Sequence, residues 1–247
     1  MSKKLFFLVL FLALNILTAN LTVAQEESQY TANFIYNVAQ HNRVAPVNVI
    51  FTVLKPTYTT SNNVMWFSSK QFANLRDAIQ RDLQKILEVK GFAVRGPFEN
   101  YSLIPYPEKM KIDFILMANI ELIVSLKDET AKAESIWIGK SPIIQAGNAE
   151  ITGKIMIEAK EIATRELMWV KKIEVKKFQF PYVVRAPYNT PHPTPGKLYS
   201  YEPIFTGMAK GFEEQYPEIM NIIYNSLNPG EMIIIKKEAQ ALKSKKQ

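Results

Sequence analysis

The 247-residue chain contains no cysteine. That excludes a disulfide framework, a thiolate metal site and a cysteine nucleophile, and it closes the thioether route by which bacterial lipoproteins carry their lipid. Histidine is nearly as scarce. His41 and His192 lie far apart in dissimilar segments, so both read as solvated loop residues and no metal site assembles from them. Nine glycines are too few for a nucleotide-binding fingerprint, and neither a GxSxG elbow nor an HExxH helix occurs. Beyond the first two dozen residues no run approaches about 18 uninterrupted apolar residues, the length of a spanning helix. Little is left from which to build an active site. The expectation is a protein that is not an enzyme and uses no cofactor.

What is present begins at the N-terminus. Lys3 and Lys4 precede an apolar stretch from Leu5 to Leu14, and Thr22-Val23-Ala24 places small residues before Gln25. This is the pattern of a secretory signal peptide over residues 1–24, with an uncleaved signal anchor as the competing reading. Asn15, Thr18, Asn20 and Thr22 weaken the anchor, because they place polar groups in its second half. The chain is therefore expected to be exported, to the periplasm or to the outer membrane or flagellar sheath. The net charge of +7 divides unevenly. Two cations belong to the signal, and Lys236, Lys237, Lys243, Lys245 and Lys246 crowd the C-terminus, so the body between is close to neutral. No aromatic residues interleave those lysines, which argues against a nucleic-acid groove and for a helix end whose cations complement its dipole.

The body reads as one α+β domain over residues 46–247, after an N-terminal extension over 25–45. Pro46–Leu54 forms an apolar strand ended by Lys55-Pro56. Phe72, Leu75, Ile79, Leu83 and Ile86 then recur at helical steps, predicting a helix from about Lys70 to Lys90 capped by Ser68 or Ser69. Gly91 sits at the left-handed cap position, and a strand from Phe92 stops at Gly96-Pro97. Together these give a β-α-β opening. Lys111–Leu126 predicts a long strand with a bend near Asn119, Ile136–Ile138 a short one, and Ala149–Ile162 with Leu167–Phe180 a hairpin turning near Arg165. The lysines on the second arm (Lys171, Lys172, Lys176, Lys177) suit an edge strand. A seam from Phe205 to Leu227, interrupted by Pro217, and a last stripe of Met232, Ile235, Ala239 and Leu242 predict C-terminal helices packed on one face of a mainly antiparallel sheet.

Two features carry candidate chemistry. Glu121 is embedded in the long apolar strand, where burial would raise its pKa, or else it faces outward between inward Ile120 and Leu122. The second feature is the segment 181–203, rich in proline and tyrosine. Tyr182, Tyr188, Tyr199 and Tyr201 could present flat amphipathic platforms to sugar rings on a pre-stiffened loop, or could pin that loop to its own domain.

The stretches Phe72-Ala73-Asn74, Leu83-Gln84-Lys85-Ile86-Leu87, Lys90-Gly91-Phe92-Ala93-Val94 and Met117-Ala118-Asn119-Ile120-Glu121-Leu122-Ile123-Val124 resemble the neuraminyllactose-binding haemagglutinin family, described as flagellar-sheath adhesins of Gram-negative gastric bacteria. The resemblance continues faintly through the hairpin into the C-terminal helices. It implies an envelope adhesin with a host glycan or an envelope protein as its partner. Two departures qualify that implication. Family members of the type species are lipoproteins with a cysteine at the cleavage site, which is absent here, and the stretch just after the long strand, where the family's proposed sialic-acid motif is a basic run, reads Lys127-Asp128-Glu129-Thr130-Ala131-Lys132-Ala133-Glu134 in this chain. Only Lys127 and Lys132 remain, outnumbered by three acids. The resemblance thus implies a non-lipidated paralogue with altered or lost sialic-acid binding. The alternative is a non-enzymatic periplasmic module that docks onto an envelope or flagellar-sheath assembly.

Overall fold

Apolar side chains alternate along Phe114, Leu116, Ala118, Ile120, Leu122 and Val124, and in a strand that period puts all of them on one side. The computed structural model describes residues 30–59, 65–133, 143–186, 191 and 197–246, with side chains to 241. In it those six residues join the main core from strand β4 (Phe114–Ala133), and the intervening Ile115 and Met117 turn to a second, smaller apolar cluster on the opposite face. The signal peptide, the Ile136–Ile138 strand, Tyr188 and His192 lie outside the described residues.

The remaining strands organise around β4. It pairs in parallel with β1 (Ile50–Leu54), and beyond Lys55-Pro56 with the short β2 (Thr57–Thr59), which has no counterpart in the sequence reading. The strand β3 (Ala93–Phe98) lies parallel outside β1. On the other side β4 pairs antiparallel with β5 (Ile143–Glu161), which pairs antiparallel with β6 (Leu167–Arg185). The order is β3-β1-β4-β5-β6, with the hairpin lysines on an edge strand as expected. The architecture is the expected α+β fold with a mainly antiparallel sheet. Strands of nineteen and twenty residues make the β4-β5-β6 ribbon on the order of 60 Å long.

Several boundaries differ from the sequence reading, each for a physical reason. β3 does not stop at Gly96-Pro97. Those two residues fit opposite Val53 alone, between the Thr52–Arg95 and Leu54–Phe98 pairs, and β3 is a sheet edge where a missing N–H is tolerated. The ribbon bends not at Asn119 but at Asp128 and Glu129, which together oppose Gly147, with Asp128 at φ 52. A second bulge sets Lys176 and Lys177 against Thr152. It reverses the facing parity of β6, so that Ile173 and Val175 before it, and Tyr182 and Val184 after it, all reach the core. β6 also runs five residues past Phe180, through Pro181, as an edge strand allows.

The opening helix α1 (Leu75–Val89) starts five residues later than expected, after turns of 3-10 helix at Trp66–Ser68 and Lys70–Phe72. The carbonyl of Gln71 accepts its hydrogen bond from the Ala32 amide (3.0 Å). At its far end Gly91 takes φ 84 with the Phe92 amide bonded to Leu87, as its cap position predicts. The buried Gln80 amide donates to the carbonyls of Val53 and Phe98, joining the ends of β1 and β3.

The N-terminal extension is built into the domain. Ala32, Phe34, Tyr36 and Val38 are buried in alternation, and the Phe34 ring lies against Phe72, Phe212 and Tyr216. After a single-turn helix α2 (Tyr106–Lys109) on the opposite face, the helices α3 (Glu202–Ser226) and α4 (Pro229–Lys246) complete the main core. α3 continues through Pro217. Lys236, expected in a solvated tail, instead holds Asp113 (2.8 Å) and the Asn48 carbonyl (2.8 Å). α3 crosses β6 on Gly207 and Gly211, where an added Cβ would fall 2.3 Å from the rings of Phe180 and Phe178.

Two stability predictions follow from this packing. Phe34→Ala should destabilise the chain by about 3–5 kcal/mol in urea unfolding. A peripheral extension would instead show less than about 0.5 kcal/mol. Gly211→Ala should also lower the unfolding midpoint, although alanine is favoured over glycine by about 1 kcal/mol in a helix interior. A raised midpoint would show that the helix does not rest on Phe178.

Candidate functional site

Of the residues singled out in the sequence, Lys127, Lys132, Tyr182, Tyr199 and Tyr201 gather at the far end of the ribbon. Tyr182 sits opposite Gly147 on β5, where the absence of a side chain leaves room for its ring. It is 3% exposed, and its hydroxyl donates to Glu129 (3.4 Å) in the β4 bulge. The Tyr199 amide donates to the Gln145 side chain (3.0 Å), which donates in turn to the Lys197 carbonyl (2.9 Å), and the Tyr199 hydroxyl donates to the carbonyl of Pro191. Tyr201 stacks with Phe205, with ring centroids 6.0 Å apart. Tyr199 and Tyr201 both pack against the main core. These contacts tie Tyr182, Tyr199 and Tyr201 to the body of the domain. Lys127 and Lys132 are exposed on either side of the Asp128-Glu129 bulge.

Glu121 faces outward, as strand alternation suggests, and pairs with Lys154 (2.9 Å). His41 is half-buried rather than solvated. It stacks on Tyr224 (3.8 Å) and shares a hydrogen bond with the Tyr36 hydroxyl (2.7 Å). Among the described residues no group of three or more His, Cys, Asp or Glu is placed to hold a metal ion.

A different site opens on the face of the sheet away from α1, α3 and α4. It is a cleft of about 410 Å3 floored by Leu54, Ile115 and Met117, which strand parity turns away from the main core. Lys55, Lys160 and Arg165 supply cations at its wall, against one acid, Glu99. Lys55 is committed to Glu99 and Asp77, and these hydrogen bonds hold its ammonium above the ordinary lysine range. Lys160 pairs with Glu158 (2.7 Å). Arg165 reaches the cleft because of the β5-β6 turn. The buried Glu161 carboxylate accepts from the amides of Ala163 (2.9 Å) and Thr164 (2.6 Å), and Arg165 adopts φ 59. The Tyr101 ring is flanked by the Arg165 guanidinium (5.2 Å) and the Lys109 ammonium (4.0 Å). The sequence marked Arg165 only as a turn residue, because its partner Tyr101 lies on a distant connector.

Neither a protein-family model nor a curated protein matches the sequence. Among solved structures, one from Helicobacter pylori, named as a neuraminyllactose-binding hemagglutinin homologue, superposes with a TM-score of 0.54. It is 17% identical, and the match covers 83% of this chain and 98% of that one. A Xanthomonas campestris protein matches over 85% of this chain and 98% of its own at 11% identity, with a TM-score of 0.35. The first likeness shows a shared fold; the second is too distant to argue from. Among the described residues no helix is long and apolar enough to cross a membrane.

Burial, and after it the charge of Glu129, pushes the Tyr182 hydroxyl up to about 12 from an ordinary value of 10.0. A group whose folded pKa exceeds its unfolded one contributes stability that is intact below the unfolded value and lost as pH rises through the folded value. The chain should therefore lose stability progressively between pH 10 and about 12. Tyr182→Phe should make that loss shallower in denaturant melts taken across this range. An unchanged slope would show that Tyr182 is not held as described.

Proposed function

We propose that this chain is a non-enzymatic binding protein of the cell envelope, built on the hemagglutinin-type fold, that has lost sialic-acid recognition at residues 127–134 and binds its ligand in the open-face cleft. The observation that carries this reading is the contrast between the two ends of the ribbon. At the motif position an acidic bulge separates Lys127 from Lys132, and the neighbouring tyrosines already hold internal partners. A sialic-acid carboxylate there would meet acids as well as lysines. The cleft offers volume and a guanidinium, Arg165, set against the Tyr101 ring, and falls within the roughly 300–1,000 Å3 of small-molecule sites. The signal-peptide pattern of residues 1–24 supports export, and the shared fold supports an envelope setting without fixing a ligand.

Calorimetric titration of the chain with neuraminyllactose should give no saturable heat. Saturable binding that Lys127→Ala abolishes would return the motif to use and overturn the proposal. A second reading, a module that docks onto an envelope or flagellar-sheath assembly, is favoured by Leu103, Tyr106 and Met110, which are 57%, 74% and 71% exposed on the connector around α2. A photo-crosslinker at Tyr106 would support docking if it trapped one defined envelope protein in cells and Met110→Asp prevented the adduct.

A further inference from the structure

We infer that the open-face cleft takes a single-chain amphipathic anion, an alkyl chain carrying a carboxylate or phosphate head. This rests on the cleft being the binding site. Its floor is hydrocarbon and thioether from Leu54, Ile115 and Met117, while the neutral polar groups at its wall are few. A sugar ring needs many hydrogen-bonding partners once it leaves water, and this lining offers it little. An alkyl chain needs none. The cations sit to one side of that floor. Arg165 can turn a forked guanidinium to a carboxylate or phosphate, and Lys160 stands within 4.0 Å of the Met117 sulfur, so it joins the floor to the charged wall. With Lys55 held by Glu99 and Asp77 and Lys160 by Glu158, the Arg165 guanidinium is the cation set to meet one anionic head.

The connector that supplies Tyr101 to the cleft also carries exposed Leu103, Tyr106 and Met110 beside Lys109, which lies over Tyr101, and Lys111, which pairs with Glu108 (3.2 Å). Aliphatic, thioether and phenol groups flanked by lysines make a surface suited to the head-group layer of an anionic bilayer. A chain-bearing ligand could therefore be drawn from a membrane or bound from solution, and both sources share the same chemistry.

The test is titration of the chain with a series of carboxylates from octanoate to palmitate, below their micellar concentrations, followed by calorimetry. Affinity should rise roughly fourfold per added methylene until the cleft is filled. The alcohol of matching length should bind at least roughly tenfold more weakly than its carboxylate. Arg165→Gly should weaken laurate by a similar factor. It should leave the melting temperature unchanged or raised, since glycine relieves the left-handed backbone. Met117→Trp, which fills the floor, should abolish laurate binding. Phosphatidylcholine vesicles doped with lysophosphatidylglycerol separate the sources. Co-sedimentation lost in Tyr106→Asp assigns a membrane lipid, and binding of soluble laurate alone assigns a free acid. No chain-length dependence, or laurate binding indifferent to both cleft variants, overturns the ligand class. A small apolar anion, anilinonaphthalene sulfonate, then decides what survives. If its binding still depends on Arg165 the cleft remains the site, and if it does not, the cleft reading falls as well.

Discussion

Asp82 is a carboxylate with no solvent exposure, and the packing of the helical layer depends on what surrounds it. The Arg81 guanidinium meets both its oxygens (2.8 and 3.1 Å), and the Tyr216 hydroxyl donates to it from α3 (2.9 Å). Arg81 also donates to the carbonyl of Phe34 (3.1 Å). One buried anion thereby ties α1, α3 and the N-terminal segment. An isolated carboxylate would be very unfavourable in that setting, whereas one met by a bidentate cation and a phenol is tolerated. The arrangement selects the geometry more than it adds stability. Moving α3 would take the Tyr216 hydroxyl from Asp82, and moving residues 30–38 would take the Phe34 carbonyl from Arg81.

The elements that meet at Asp82 all lie on one face of the sheet. The N-terminal segment, α1, α3 and α4 are all drawn to the side where Phe114, Leu116 and Ile120 point. Among the described residues the opposite side receives the connector around α2 and the turn before β6, which shelter a small cluster of Leu54, Ile104, Ile112, Ile115 and Ile162. The cleft exists where this lighter cover ends. Its position follows from the asymmetry of the layers, and its charge follows from the turn that Glu161 organises.

Much of this fold was legible in the sequence. The alternation through Ile120 and Leu122 placed Glu121 outward, Gly91 marked the end of α1, and the hairpin lysines marked an edge. The unread parts share one cause: each depends on a residue remote in the chain. The late start of α1 reflects Ala32 bonding to Gln71, and the burial of the extension reflects Phe34 meeting Phe212. The bulges at Asp128 and Lys176 have no composition of their own, because they adjust the register of one strand to its neighbour. Lys236 shows the same limit. Its place in a run of cations suggested a solvated end, yet a single acid across the fold, Asp113, fixes it.

The site illustrates that limit most sharply. Clustered tyrosines and prolines stand out in a sequence because they are local, whereas the contacts of Tyr182 and Tyr199 are with residues remote in the chain. Tyr182 fills the space over Gly147 across the β5-β6 pair, and the Tyr199 amide meets Gln145 from beyond β6; neither partner is a neighbour in the chain. The cleft draws on β1, β2, the connector before β4, β4 itself and the end of β5 with its turn, and of its charged groups only Lys160 and Arg165 are near one another in sequence. A binding surface assembled in this way can change its ligand through a few dispersed substitutions while the sheet beneath it stays the same. A fold shared at 17% identity is therefore compatible with a ligand that is not shared.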